Sequence, residues 1–161
     1  MITAVTKSVE ETRALAAELA PLLEAGDLIV LAGQLGAGKT AFVQGLGRGL
    51  AVTEPITSPA FVLARTYPGR LPLTHLDVYR LDHLQELVDL GIAELLDEDG
   101  VSAIEWGDVV VPALPSDLLE VRLDQGDGDD ERTLTFSAVG PSWTPRAGAL
   151  RAALDRWTAH V

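Results

Sequence analysis

The chain contains no cysteine and no asparagine among its 161 residues. Without cysteine it forms no disulfide and has neither a thiol nucleophile nor a cysteine-based metal site. Without asparagine it lacks the N-K-x-D segment with which GTPases read guanine, so we expect any nucleotide site to take an adenine nucleotide. The histidines, His75, His83 and His160, do not have the spacing of a metal site.

Basic residues and long hydrophobic runs are also scarce. Twelve Lys and Arg stand against 24 Asp and Glu, a formal net charge of −12. Nucleic-acid-binding proteins usually present a basic face, so this composition argues against strong direct binding of tRNA or DNA by the chain alone. No apolar run approaches the roughly 20 residues that span a bilayer, and the N-terminus lacks the apolar region of a signal peptide. We therefore expect a cytoplasmic protein without membrane contact.

The segment Gly33–Thr40 has the pattern G-x-x-x-x-G-K-[ST] of a phosphate-binding P-loop. An apolar run of strand length, 28–32, precedes it and a helical pattern, 40–50, follows, which is the context that the motif requires. Glycines keep side chains away so that backbone N–H groups wrap a polyphosphate. Lys39 would face the β- and γ-phosphates, and the Thr40 hydroxyl would hold Mg²⁺. The alternative, a glycine-rich turn with a surface lysine, is disfavoured by this context.

Two apolar runs further along the chain end in an acidic residue, at Asp77 and at Glu105. P-loop folds place a carboxylate at such a position beside Mg²⁺ or its waters, and Glu105 is the better candidate for that ligand. Asp77 is the second candidate. His75 would share a strand face with Asp77, and we interpret it as a satisfied histidine of the core or of the sheet edge. Trp106 either belongs to the core or shapes the site.

The other patterns alternate between strands and helices. Ser8 and Glu11 form a capping box at the start of a first helix. Hairpins are predicted for 60–76 and for 118–139, and the second adds antiparallel strands to a parallel core. A last helix begins at Thr144-Pro145, with an apolar stripe that packs onto the domain. We predict an α/β fold: a single P-loop NTPase-like domain with a mostly parallel sheet, antiparallel additions and helices on both faces.

Four segments together resemble the TsaE family, bacterial P-loop ATPases of tRNA threonylcarbamoyladenosine biosynthesis. They are the P-loop, Thr57-Ser58-Pro59, the H-x-D-x-Y-R segment at 75–80 and Ile104-Glu105-Trp106. The resemblance runs from the first helix to about Arg132. The single ATPase domain would then cover 1–161, with the helix at 145–161 as a family-variable tail.

This resemblance implies ATP and Mg²⁺ as ligands and slow ATP hydrolysis. It also implies TsaB and TsaD proteins as partners, and that the chain contacts tRNA only indirectly, through their complex. Lys39, Asp77 and Glu105 would be catalytic, and Thr40, Glu105 and Asp77 would hold the metal. The nucleotide contacts that it implies are Thr12, Gly36, Ala37, Gly38, Lys39, Thr40, Ala41, Ser58, Trp106 and Arg132. Among these, Thr12 and Arg132 match positions near the base.

One departure from the family pattern is Ala60, where the family usually has a threonine. In P-loop enzymes the segment after the first helix often reaches over the γ-phosphate as a switch, and Ser58 is then the nearer hydroxyl for that role. Arg80 is the nearest internal candidate for an arginine finger, and one supplied by a partner is equally plausible. Two other functions stay open. One is an ATP-dependent binding module for the same complex, in which hydrolysis is incidental. The other is a small-molecule kinase, against which the scattered arginines and the lack of a lid-like insertion argue.

Overall fold

The computed structural model describes residues 1–34, 36–57, 64–78, 91–106 and 114–158. Its strands are β1 (Ile2–Thr6), β2 (Leu28–Ala32), β3 (Ala64–Tyr67), β4 (Leu73–Asp77), β5 (Val101–Glu105), β6 (Leu118–Gln125) and β7 (Arg132–Val139). Its α-helices within these ranges are α1 (Val9–Leu19), α2 (Lys39–Gly49) and α3 (Ala147–Leu154). Short 3₁₀ helices cover Ala20–Leu22, Ile92–Leu95, Thr144–Arg146 and Asp155–Trp157. No helix in this part of the chain is long and apolar enough to cross a bilayer.

All seven strands form one mixed sheet in the order β1-β7-β6-β2-β5-β4-β3. The central strands β6, β2, β5 and β4 are parallel, whereas β3 joins one side and β7 with β1 the other in antiparallel fashion. This arrangement confirms the predicted parallel core with antiparallel additions. Ligands of open α/β sheets bind beyond the carboxyl ends of the parallel strands, and the P-loop leaves β2 at that edge.

Two glycines of α2 let it pack closely against α1. A Cβ at Gly45 would overlap the carbonyl oxygen of Arg13, and a Cβ at Gly49 would lie 2.7 Å from the carbonyl oxygen of Ala17. At the start of α1, the Ser8 hydroxyl accepts a hydrogen bond from the Glu11 N–H at 3.0 Å, as the capping pattern predicts. The missing side chains at Gly45 and Gly49 therefore let α1 and α2 approach each other closely.

The sheet buries an apolar cluster on each face. The larger cluster joins the sheet to α1, α2 and α3, and the rings of Phe42 and Phe136 meet there with their centroids 6.2 Å apart. The smaller cluster lies on the opposite face, where Val30 and Ile104 are fully buried. Leu95, which ends a 3₁₀ turn, packs on that face. Of the predicted helices on both faces, the described residues therefore show α-helices on one face and a 3₁₀ turn on the other.

The C-terminal segment is tied to the rest of the chain by a buried ion pair. The guanidinium of Arg146 donates to both carboxylate oxygens of Asp27 at 2.6 and 2.9 Å, and to the carbonyl oxygen of Leu22 at 3.0 Å. The hydrogen bonds to Asp27 raise the pKa of Arg146 above its ordinary value. The predicted apolar stripe of the last helix is confirmed, because Leu150 and Leu154 lie in the larger cluster.

Candidate functional site

The P-loop curves around the N-terminus of α2 with three glycines in the left-handed region. Gly33, Gly36 and Gly38 have φ angles of +142°, +81° and +105°. A Cβ at Gly33 would overlap the carbonyl oxygen of Leu123, so only glycine fits there. Gly38 precedes α2 and provides no side-chain cap. The first turn of α2 therefore directs the positive end of the helix dipole at the loop, which is the arrangement that favours an anion.

The ammonium group of Lys39 lies inside this loop. Its Nζ donates to the carbonyl oxygens of Gly33 at 2.7 Å and of Gln34 at 2.8 Å. It also stands 3.7 Å from the centroid of the Trp106 ring, a cation–π contact. Because Lys39 is only 4% exposed, these dipoles and the ring replace much of the hydration that the cation loses. The structure therefore holds a cation at the position where the motif needs one.

Thr40 and Glu105 meet beside the loop. The Thr40 hydroxyl donates to the Glu105 carboxylate, with Oγ1 3.1 Å from Oε1 and 3.0 Å from Oε2. Glu105 is the last residue of β5 and is buried. A hydroxyl and a carboxylate are the oxygen donors that Mg²⁺ prefers, so the residues present fit that ion.

Asp77 lies next to this pair. It is the last residue of β4 and the register partner of Glu105 on β5, and neighbouring strands are about 4.8 Å apart. Since register partners point to the same face of a sheet, Asp77 extends the acidic edge of the site. Its side chain is half-buried.

His75 contacts the site directly. It is buried in the core, as our interpretation of the sequence expected, but only one of its two ring nitrogens has a hydrogen-bond partner in the part of the chain that the structure describes. Its Nε2 hydrogen-bonds to Oε2 of Glu105, whereas its Nδ1 has no hydrogen-bond partner among the described residues. The ring is fully buried. The H-x-D spacing placed His75 on the same face as Asp77, but only the pairing of β4 with β5 brings Glu105 to that face.

Trp106 has a left-handed backbone, with φ at +64°. This conformation is uncommon outside glycine and costs on the order of 1–3 kcal/mol. It turns the chain sharply at the end of β5, so that Glu105 contacts Thr40 while the Trp106 ring contacts Lys39. The Trp106 ring also packs against the smaller apolar cluster, so it contacts both the core and Lys39, and its role in shaping the site stays a prediction.

Arg132 holds the P-loop through the backbone. Its Nε donates to the carbonyl oxygen of Ala37 at 3.1 Å and its Nη2 to that of Gly36 at 3.3 Å. Its Nη1 donates to the carbonyl oxygens of Asp129 and Glu131 in the turn between β6 and β7. Arg132 thus ties that turn to the loop. A cavity of about 220 Å³ opens beside it, lined by Gln34, Gly36, Ala37, Leu123, Asp124 and Gln125.

The remaining predicted residues lie around this centre or outside the described ranges. Thr12 is buried, and its hydroxyl pairs with that of Thr6 at 2.7 Å. Thr6 is in turn the register partner of Arg132, so Thr12 lies on the β1–β7 side of the P-loop. Ala41 is half-buried in the first turn of α2. Ser58 and Arg80 lie outside the described residues. A base contact by Thr12 or Arg132 stays a prediction.

Comparison with known proteins gives consistent matches. A family model described as "Threonylcarbamoyl adenosine biosynthesis protein TsaE" matches residues 6–134. The chain is 42% identical over 136 residues to the tRNA threonylcarbamoyladenosine biosynthesis protein TsaE of Bacillus subtilis, covering 84% of both chains. It is 46% identical over 138 residues to the protein of the same name from Streptomyces coelicolor, covering 81% of this chain and 93% of that one. The crystal structure of Bacillus subtilis YdiB matches with a TM-score of 0.75 at 36% identity, covering 97% of each chain.

Proposed function

The chain belongs to the TsaE family of tRNA threonylcarbamoyladenosine biosynthesis proteins, and we propose that it serves this pathway as a cytoplasmic ATPase. In this proposal it binds ATP with Mg²⁺ at the P-loop and hydrolyses it slowly. Its partners are the TsaB and TsaD proteins, and it meets tRNA only through their complex. The observation that carries the proposal is the contact of Thr40 with Glu105 beside the P-loop, at 3.0 and 3.1 Å.

Each group of the site has a role in this reaction. The N–H groups of the loop and the ammonium of Lys39 would bind the phosphates and stabilise negative charge that develops there. Thr40 and Glu105 would hold Mg²⁺, and Asp77 would orient either the metal's waters or the attacking water. The metal, when bound, neutralises phosphate oxygens.

The contacts of Arg132 support the part of the proposal that expects slow hydrolysis by the chain alone. Arg132 contacts the P-loop, but carbonyl oxygens of the loop and of the β6–β7 turn engage its donors. We therefore assign Arg132 to holding the loop rather than to a transition-state contact. An arginine finger from a partner, or Arg80, would then supply the charge that raises the rate. The net charge of −12 supports the division of labour, because tRNA binding falls to the partners.

Phosphate release from ATP and Mg²⁺ tests the proposal, measured with and without the cognate TsaB–TsaD complex. We expect slow release that rises sharply when the complex is added. The variant Lys39→Ala serves as the control for contaminating ATPases, because it removes the cation from the loop. Binding of ATP without release in either condition would favour the binding module instead. Brisk release that ignores the complex would contradict the proposal.

A further inference from the structure

His75 is a buried side chain whose polar atoms the fold does not fully use. It lies in the middle of β4, with the ring fully buried. Its Nε2 contacts the Glu105 carboxylate, and its Nδ1 finds no partner within the described ranges. Because the carboxylate accepts hydrogen bonds, Nε2 carries the proton in this contact and donates it. An unpartnered polar atom in the core is unfavourable, so packing alone does not explain a histidine at this position.

What the imidazole adds is a second restraint on one carboxylate. Thr40 donates to both oxygens of Glu105 from α2, and His75 donates to Oε2 from β4. Two donors from different elements leave the carboxylate little freedom to rotate. Hydrogen bonds of this kind to a ligating carboxylate orient it and tune metal affinity.

We propose that His75 is a positioning residue that holds the Glu105 carboxylate ready for a divalent cation bound together with a nucleotide. This inference rests on the proposed function, because it takes Glu105 as a metal ligand. His75 itself touches neither the phosphates nor the metal in this scheme. Loss of the His75 side chain should therefore weaken binding of the metal and leave nucleotide binding in the absence of metal unchanged.

Three variants of β4 separate positioning from general damage to the strand. His75→Leu removes the donor at similar volume, and His75→Gln keeps an amide donor near the place of Nε2. Thr74→Val is the matched control, because Thr74 is the adjacent buried residue and its hydroxyl pairs with that of Thr66 at 3.0 Å, away from Glu105. Circular dichroism and urea unfolding establish that each variant is folded.

Two affinities are measured. The affinity for Mn²⁺ in the presence of ADP is determined from the EPR signal of free Mn²⁺, and the affinity for ADP in EDTA is determined by calorimetry. We expect His75→Leu to lower the affinity for Mn²⁺ about 10- to 100-fold, without a change in the affinity for ADP in EDTA. His75→Gln should recover much of the Mn²⁺ affinity, and Thr74→Val should match the wild type. If His75→Leu does not fold, His75→Asn replaces it, since its shorter amide does not reach Glu105.

A double-mutant cycle with Glu105→Gln shows whether His75 acts through that carboxylate. The effect of His75→Leu on Mn²⁺ affinity should disappear in the Glu105→Gln background. Unchanged Mn²⁺ affinity in His75→Leu would overturn the inference, as would an equal loss in Thr74→Val. Failure of the wild-type protein to bind ADP at all is a distinguishable outcome, which would overturn the proposed function and this inference with it.

Discussion

The hydroxyl of Thr40 lies 3.0 Å from Oε2 and 3.1 Å from Oε1 of Glu105, although 65 positions separate the two residues in the chain. Thr40 is in the first turn of α2, and Glu105 ends β5. The parallel register of β2 with β5 places Leu31 opposite Glu105, two residues before the P-loop begins. The contact therefore depends on sheet pairing and on the loop that carries α2, and it is the centre of the proposed metal site.

Loss of the charged side chain of Lys39 or of Glu105 should abolish ATP hydrolysis. We predict that Lys39→Ala and Glu105→Ala each lower the rate of phosphate release at least about 100-fold. The first removes the cation that would stabilise charge at the phosphates, and the second removes the carboxylate that would hold Mg²⁺. Glu98→Ala is the control, since it removes one acidic charge from an exposed turn. Normal turnover in Lys39→Ala or Glu105→Ala, with the folded state intact, would refute the assignment of the site.

Gly45→Ala should destabilise the protein even though alanine favours helices. Helix propensity alone predicts a gain of about 0.5–1 kcal/mol. The new Cβ would overlap the carbonyl oxygen of Arg13 and lie 2.7 Å from the Cβ of Ala16, so we expect a net loss of about 1–3 kcal/mol in the free energy of unfolding. Gly148→Ala in α3 is the matched control. Its Cβ would meet nothing within 4 Å, and the propensity gain should appear there in urea unfolding.

Equal behaviour of Gly45→Ala and Gly148→Ala would argue against the close packing of α1 on α2. In that case the backbone of α1 near Arg13 would have moved to admit the methyl group. A rise in stability for both variants would be the clearest sign of such a movement.

Arg132→Lys should weaken nucleotide binding without changing the preference for the base. Lysine cannot bridge the carbonyl oxygens of Gly36 and Ala37 and those of the β6–β7 turn at once. Since hydrogen bonds from charged groups are worth about 1.5–3 kcal/mol, we expect a loss of affinity of about tenfold or more for ATP and GTP alike. Calorimetric titration measures both, with Arg151→Lys on the exposed surface of α3 as the control. A changed ratio of ATP to GTP affinity would indicate a base contact instead.

Arg146→Leu should cost far more stability than the removal of an exposed arginine nearby. The change leaves the carboxylate of Asp27 buried at 6% exposure without its charged partner, and breaking a buried pair in this way costs about 3–5 kcal/mol. Arg156→Leu is the control. Arg146 stacks on Trp143 and Arg156 stacks on Trp157, but Arg156 pairs with Glu18 at 4.0 Å on the surface. Its loss should cost at most about 1 kcal/mol.

Urea unfolding measures both arginine variants. The double variant Asp27→Leu with Arg146→Leu should recover part of the loss, because no unpaired charge remains in it. Similar destabilisation by Arg146→Leu and Arg156→Leu would mean that the C-terminal segment is not anchored through Asp27.

Much of the fold was predictable because its signals are local. The apolar runs at 28–32 and 101–104 became strands, and the capping pattern at Ser8 became the start of α1. The spacing of residues 33–40 defined the P-loop, since backbone geometry and phosphate chemistry dictate those residue types within eight positions. An acid at the end of an apolar run singled out Glu105 for the same reason.

The sequence by itself thus determined the elements, the P-loop and the acids that follow two strands. Only the tertiary structure decided that His75 reaches Glu105, that Arg132 reaches the carbonyl oxygens of the P-loop, and that Arg146 reaches Asp27. Each of these contacts joins residues at least 30 positions apart. Periodicity and turn chemistry act over a few residues, whereas the partners of a buried polar group depend on strand order and register. Those are set by packing of the whole sheet, because a shift of one residue would turn each side chain to the other face.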